Sequence, residues 1–347
     1  MTASVARAAL APADGERRHR SRRHSTVTAV LALLLIALTV GGLLAGPFGV
    51  GIEELLRLVT GAASGATEFV VVTLRMPRLA LGALVGAALA LAGALFQTVL
   101  RNPLASPDII GVSQGAVAAA AAGMLLFGLS GAPLALMAFA GAVTVAAAIS
   151  LIAGRGRAAG YRFVLTGVGA AFFLQACTGF LLTRGEVREV QQALVWMVGG
   201  LSGAAWPDVA VLAGAFTVLV TAAALTARPL RILQLGDDAA AGLGVRADRA
   251  RPMVLAVGVA LAAVAVAFAG PMVFVAFISA PIVRRLLGDG SLALVPTALF
   301  GAALVLAADL VAQYAIPGAQ LPAGIVTGLI GAPYLLWLLA TRRGGSS

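Results

Sequence analysis

Long apolar stretches separated by short polar breaks occupy nearly the whole chain. As a helix, about 20 apolar residues match the hydrocarbon thickness of a bilayer. Ten such stretches can be marked: Val27–Ala45, Leu79–Leu100, Ile109–Phe127, Pro133–Ala153, Phe163–Thr183, Val209–Ala227, Met253–Ala269, Phe274–Leu287, Leu292–Tyr314 and Pro322–Ala340. The eighth is short. Alanine and glycine dominate them, as at Gly82, Gly86 and Gly93 of the second, and small residues let helices approach closely in lipid. The pattern predicts an all-α polytopic membrane protein, a dense bundle of about ten transmembrane helices. Residues 1–25 are polar and arginine-rich and are expected to form a disordered tail, with residues 26–343 as one transmembrane domain.

Composition agrees. The 347 residues are 61% hydrophobic and 11% charged, with a mean hydropathy of +1.01. Soluble domains carry about 45–50% apolar and about 25% charged residues. The net charge is +10, and all 24 basic residues are arginine, with no lysine. In a lipid-embedded chain, the placement of this charge points to membrane orientation rather than to nucleic acid. With the N-terminus in the cytoplasm, ten spans return the C-terminus there. Only Arg57, Arg75, Arg78, Arg184 and Arg188 then lie outside, which satisfies the positive-inside rule. Ser21-Arg22-Arg23 resembles a twin-arginine export signal, but no A-x-A site follows the apolar run, so a retained first span is expected. The single cysteine, Cys177, excludes an intramolecular disulfide framework. Both histidines, His19 and His24, lie in the tail. No nucleophile–base–acid cluster and no metal-ligand spacing occurs in the membrane part. We therefore expect no cofactor, no metal and no enzymatic site.

One polar break stands apart, "RNPLASPDIIGVSQGA" at 101–116. Asn102-Pro103 ends the second span, since the residue before proline disfavours helix. Ser106-Pro107-Asp108 reads as a helix start, with serine as N-cap, proline in the first turn and an acid at the positive dipole end. The prolines, small residues and Leu104 predict a compact, partly buried turn.

The stretch "LRMPRLALGALVGAALALAGALFQTVLRNPLASPDIIGVSQGA" (74–116) resembles the signature of the FecCD-type permeases, the membrane subunits of ABC importers for iron-siderophores, haem and vitamin B12. The likeness continues through "WMVGGLSGAAW" (196–206), "LQLGDDAAAGLGV" (233–245), "GPMVFVAFISAPIVRRL" (270–286) and "LPAGIVTGLIGAPYLLWLL" (321–339). The resemblance implies a type II ABC importer permease fold of ten helices in a bacterial cytoplasmic membrane. It implies a second permease subunit, as homodimer or heterodimer, and a path between the two. It also implies a separate ATPase and an extracytoplasmic substrate-binding protein. Asn102 and Leu104 match one cytoplasmic gate of the family, and Gly160 and Tyr161 match the other.

Several residues bear on that implication directly. A Walker A loop needs a lysine, so this chain cannot carry one. Nor do the spans hold the row of acids, histidines or lysines of a proton-driven carrier. An ATP-independent secondary carrier is therefore the weaker alternative. Asp309 is the one carboxylate deep in a late span, and it matches a family aspartate of structural character. In the loop 233–245, Asp237 and Asp238 offset the dipole of a short helix, Ala239 to Ala241 favour it, and Gly242 or Gly244 ends it. Leu243 and Val245 are left uncovered unless a partner covers them. The family places its ATPase-coupling helix here, which assigns contact to Asp237, Asp238, Ala239, Ala240, Gly242 and Leu243. Arg75 and Arg78 bracket Met76-Pro77, and arginine offers a fork for carboxylates. The family's matching pair docks the binding protein. A third family arginine is Gln313 here, and Ala280-Pro281 also departs from the family pattern. "FVAF" with "RRL" is similar to siderophore permeases more than to the vitamin B12 or haem type, so a ferric siderophore is the expected substrate.

Overall fold

The computed structural model describes the backbone of residues 3–154, 159–316 and 318–343, and side chains except at 3–18, 109–110, 159–161, 339 and 342–343. Every regular element among them is helical. Ten principal helices follow one another: α1 (Ala3–Leu44), α2 (Met76–Val99), α3 (Val112–Phe127), α4 (Gly131–Ala153), α5 (Ala159–Leu182), α6 (Trp206–Leu233), α7 (Ala247–Ala269), α8 (Val275–Leu287), α9 (Leu294–Tyr314) and α10 (Ala323–Arg343). They correspond one to one with the ten apolar stretches. Among the described residues, seven helical segments are long and apolar enough to cross a membrane, and α3 and α10 are shorter apolar helices.

Several boundaries differ from expectation, α6 running on to Leu233 and α7 starting at Ala247, and three have a local cause. The first helix begins at Ala3, so the basic segment expected to be disordered continues α1. At its other extreme, α2 is preceded without a break by the turn Gly65–Glu68 and a π-helical stretch, Phe69–Arg75. The wider π turn leaves carbonyls less regularly engaged, and the Trp206 Nε1–H donates to Val72 O at 2.8 Å. The third difference is at α3. Ser106 makes no side-chain cap, Pro107–Ile110 forms a 3₁₀ turn, and Gly111 at φ 77° ends it. The left-handed glycine breaks the helical path, so α3 starts at Val112 instead of Ile109.

Helix α2 is the axis of the bundle, with most of its residues from Leu79 to Val99 buried. Helices α9, α7, α8 and α6 surround it. Lipid tails are as apolar as leucine, so close van der Waals contact has to hold such neighbours together. Glycines supply that closeness. A Cβ on Gly86 would lie 2.2 Å from the Gly301 carbonyl oxygen of α9, and one on Gly93 would lie 1.7 Å from the Ala276 oxygen of α8. Polar groups add to the α2–α8 seam. The Gln97 side-chain amide donates to Phe277 O at 2.9 Å, and the Arg284 guanidinium donates to Thr98 Oγ1 at 2.7 Å.

The link from α7 to α8 brings three distant motifs to one point. Gly270, at φ 68°, and Pro271 press on Gly199 so closely that a Cβ at 199 would sit 2.3 Å from the Pro271 oxygen. The Gly200 N–H donates to Ala269 O at 2.8 Å, and the Gly324 N–H donates to Gly199 O at 3.0 Å. Irregular backbone at membrane depth needs such partners, because lipid offers none.

At the opposite end, α1 is tied to the α8–α9 loop. His24 Nε2 lies 2.8 Å from Asp289 Oδ2, the Ser291 hydroxyl donates to Asp289 Oδ1 at 2.7 Å, and the Arg23 Nε–H donates to Leu286 O at 3.0 Å. Burial alone would raise the Asp289 carboxyl, but the hydrogen bonds from His24 and Ser291 hold it below its ordinary value. Its contribution to stability is therefore present above the unfolded carboxylate value of about 3.9. It is lost only as pH falls through the lower folded value.

Replacing Gly93 with valine should drive a side chain into the backbone of α8. We expect a loss of at least about 1–3 kcal/mol, the range for overpacking. Gly179→Ala in α5 meets nothing within 4 Å and should be tolerated. Thermal aggregation of the two detergent-solubilised variants beside the parent distinguishes the outcomes.

Candidate functional site

Two clusters of polar side chains stand out, one at each end of the bundle. The first gathers residues 100–111, the 233–246 loop and the start of α7. Helix α2 ends at Val99, and Arg101 adopts φ 48°. That region is uncommon for a residue with a Cβ. The turn that follows is organised on Asn102 through three hydrogen bonds. Its N–H donates to Gln97 O at 3.1 Å and its carbonyl accepts the Ala105 N–H at 3.0 Å. Its Oδ1 accepts the Leu104 N–H at 2.9 Å. Asparagine side chains favour such local turns. Asn102 is exposed, Leu104 is half-buried, and Ala105 and Ser106 are buried, as the compact turn predicted. Beyond them the Ser113 hydroxyl donates to Asp108 Oδ1, and the cap expected from Ser106 is absent. Gly160 and Tyr161 fall in the first turn of α5. Their side chains lie outside the described residues.

The 233–245 loop contains the predicted short helix, Asp237–Gly242, entered through Gly236 at φ 115°. It ends through Gly244 at φ 79°, whose N–H donates to Ala241 O at 3.0 Å, while the Val245 N–H donates to Ala240 O at 2.9 Å. Such a left-handed glycine satisfies the last carbonyls of a helix. Asp237, Asp238, Ala239, Gly242 and Leu243 are exposed. Ala240 is not: it is fully buried in this chain. A contact role for Ala240 is therefore corrected to a packing role, because helical periodicity turns one of six residues inward. Leu235 and Leu243 remain 67% and 61% exposed on the same loop.

Arg101 joins the turn to this loop. Its guanidinium donates to the Leu233 carbonyl and lies 3.3 Å from Asp237 Oδ1. Arg251 of α7 donates to the same oxygen at 2.6 Å. Sequence reasoning missed this link. Arg101 lay in the quoted motif, but a partner more than 130 positions away leaves no periodic signal.

At the other end, Arg78 and Asp309 form a bidentate pair with both contacts at 2.8 Å, and Asp309 is fully buried. The Gln313 side chain donates to Asp309 Oδ2 at 2.8 Å. Arg75 donates to the Leu43 carbonyl and, at 2.9 Å, to Phe48 O. Both guanidinium groups of the expected docking pair, Arg75 and Arg78, already have partners inside the chain. Arg75 satisfies the Leu43 carbonyl in the last turn of α1 and the Phe48 carbonyl in the loop beyond it. Arg78 neutralises the buried aspartate, which confirms a structural setting for Asp309. Among the described residues no group of three histidine, cysteine, aspartate or glutamate side chains lies close enough to hold a metal ion.

Truncating one partner of a buried ion pair typically costs about 3–5 kcal/mol. Asp309→Ala should therefore lower the melting temperature of the purified protein sharply. Arg75→Ala, whose bonds are to half-exposed carbonyls, should lower it much less. Equal, small effects would contradict the assignment.

A family model described as the FecCD transport family matches residues 33–341. The chain is 35% identical over 319 residues to the ferric enterobactin transport system permease protein of Escherichia coli strain K12, covering 92% of this chain and 97% of that one. It is 39% identical over 317 residues to the achromobactin transport system permease protein of Dickeya dadantii strain 3937, covering 90% and 89%. A solved structure described as a metal-chelate type ABC transporter in an inward-facing conformation superposes with a TM-score of 0.79 at 25% identity. That superposition covers 91% of this chain and 99% of the other.

Proposed function

The chain belongs to the FecCD transport family, and from that premise we propose that it is the permease subunit of an ABC importer carrying a ferric siderophore across a bacterial cytoplasmic membrane. Its energy comes from a separate ATPase subunit, since a chain without lysine has no Walker A loop. One observation carries the reading of the loop. Leu235 and Leu243 stand exposed beside Asp237 and Asp238, at the bundle end that the arginine count assigns to the cytoplasm. Aliphatic side chains beside an acidic pair suit a protein groove, not lipid. In this reading Asp238, Ala239, Gly242 and Leu243 touch the ATPase, Ala240 supports them from within, and Asn102 and Leu104 form a gate at the same end. Gly160 and Tyr161 complete that gate by resemblance. The path lies between this chain and a second permease subunit. The substrate arrives with an extracytoplasmic binding protein, which docks on the surface that Arg75 and Arg78 hold in shape.

The substrate assignment rests on relatives whose names specify ferric enterobactin and achromobactin. Uptake of radiolabelled iron by a deletion strain complemented with this gene should be restored with one or a few siderophores of a panel. No iron uptake with any siderophore of the panel, beside uptake of labelled cobalamin, would replace the substrate. Leu243→Asp should leave the permease in the membrane but abolish copurification of the ATPase, and unchanged copurification would remove this loop from the interface.

A further inference from the structure

The hydrogen bonds of Arg101 carry a conclusion that deepens the proposed reading and rests on its claim that residues 233–245 meet an ATPase. We infer that Arg101 is a positioning residue that transmits displacement of the Asp237–Gly242 helix to the Asn102–Leu104 turn. Among the described residues, its guanidinium makes the only side-chain hydrogen bonds between residues 100–111 and the loop 233–246, to the Leu233 carbonyl and to Asp237. Its own backbone leads directly into Asn102, whose three hydrogen bonds make the turn one unit. A shift of Asp237 therefore pulls on the residue from which the turn begins.

The chemistry of the link suits a connection that is made and broken each cycle. One carboxylate oxygen faces two arginines, Arg251 at 2.6 Å and Arg101 at 3.3 Å. The side chains are 37–53% exposed, so each pair is weak and replaceable by water. A small movement of the short helix lets Asp237 trade one guanidinium for the other while staying paired. Arg101 holds φ 48°, a conformation that persists in a residue with a Cβ only when its surroundings fix it. Releasing the guanidinium frees that backbone to rotate and to carry Asn102 with it. Both bonds leave one nitrogen, Nη2, so the link requires the length and the charge of the side chain, which a lysine ammonium supplies in part.

The test uses the complete importer reconstituted in proteoliposomes, with ATP hydrolysis and iron-siderophore uptake measured on the same preparation. Arg101→Ala should keep ATPase assembly and hydrolysis while uptake per ATP falls at least about fivefold, the lower range for coupling between sites. Arg101→Lys should recover part of that ratio. Asp237→Asn should lower the ratio too, and the double variant Arg101→Ala with Asp237→Asn should be no worse than the single variants, since both act on one link. Wild-type uptake per ATP in Arg101→Ala, or losses that add in the double variant, would overturn the inference. So would failure of both Arg101→Ala and Arg101→Gln to fold, which would make the residue structural. If the parent chain itself assembles with no ATPase, the proposed function fails instead.

Discussion

Four helices lie against the backbone of α2, and the glycines along it make that approach possible. In water a buried helix is held by the exclusion of solvent from its apolar face. In lipid that force does not separate protein contacts from lipid contacts, so intimacy of packing has to substitute. At Gly86 and Gly301 the chains meet backbone to backbone, as do Gly93 and Ala276. The same closeness brings Gln97 and Thr98 within reach of α8. It also sets the distance at which Arg78, at the start of α2, meets Asp309 on α9. Without α2 as a slim axis, neither polar pairing would have its geometry.

The two ends of the bundle use charge in opposite ways. At one, Arg78 and Asp309 form a bidentate pair sealed from solvent and extended by Gln313. Its separation would leave a charge in an apolar setting, so it is permanent. At the other, Arg101 and Arg251 share Asp237 in contact with water. Exchange there costs little. In the proposed reading the first joint is a rigid frame and the second a yielding contact where the ATPase subunit pushes.

One of the two departures becomes intelligible at the buried pair. Gln313 stands where the family pattern has an arginine, and in this chain it donates to Asp309. A second cation there would crowd a carboxylate already matched by Arg78. Ala280 is buried within α8 and Pro281 lies inside the same helix. Nothing in the structure explains the choice of that dipeptide.

The ten helices were legible because hydropathy over about 20 residues is a local property of the chain, and lipid demands it of every span. The turn at Asn102 and the short helix at 237–242 were legible for a similar reason: proline, asparagine, aspartate and glycine restrict their own backbone. Partners were not. That Arg78 turns inward to Asp309, that Ala240 faces the protein, and that Arg101 reaches Asp237 all depend on which helices lie side by side. Small residues announce that helices will pack closely but do not name the neighbour. The late start of α3 followed from Gly111, whose left-handed conformation is permitted by its sequence and selected by its surroundings. Local chemistry determined the ten apolar helices and most of their ends to within about six residues, but not the basic extension of α1 or the other short helices between the spans. Tertiary structure decided where each charge was spent, because these ion pairs form between positions that only the folded bundle brings together.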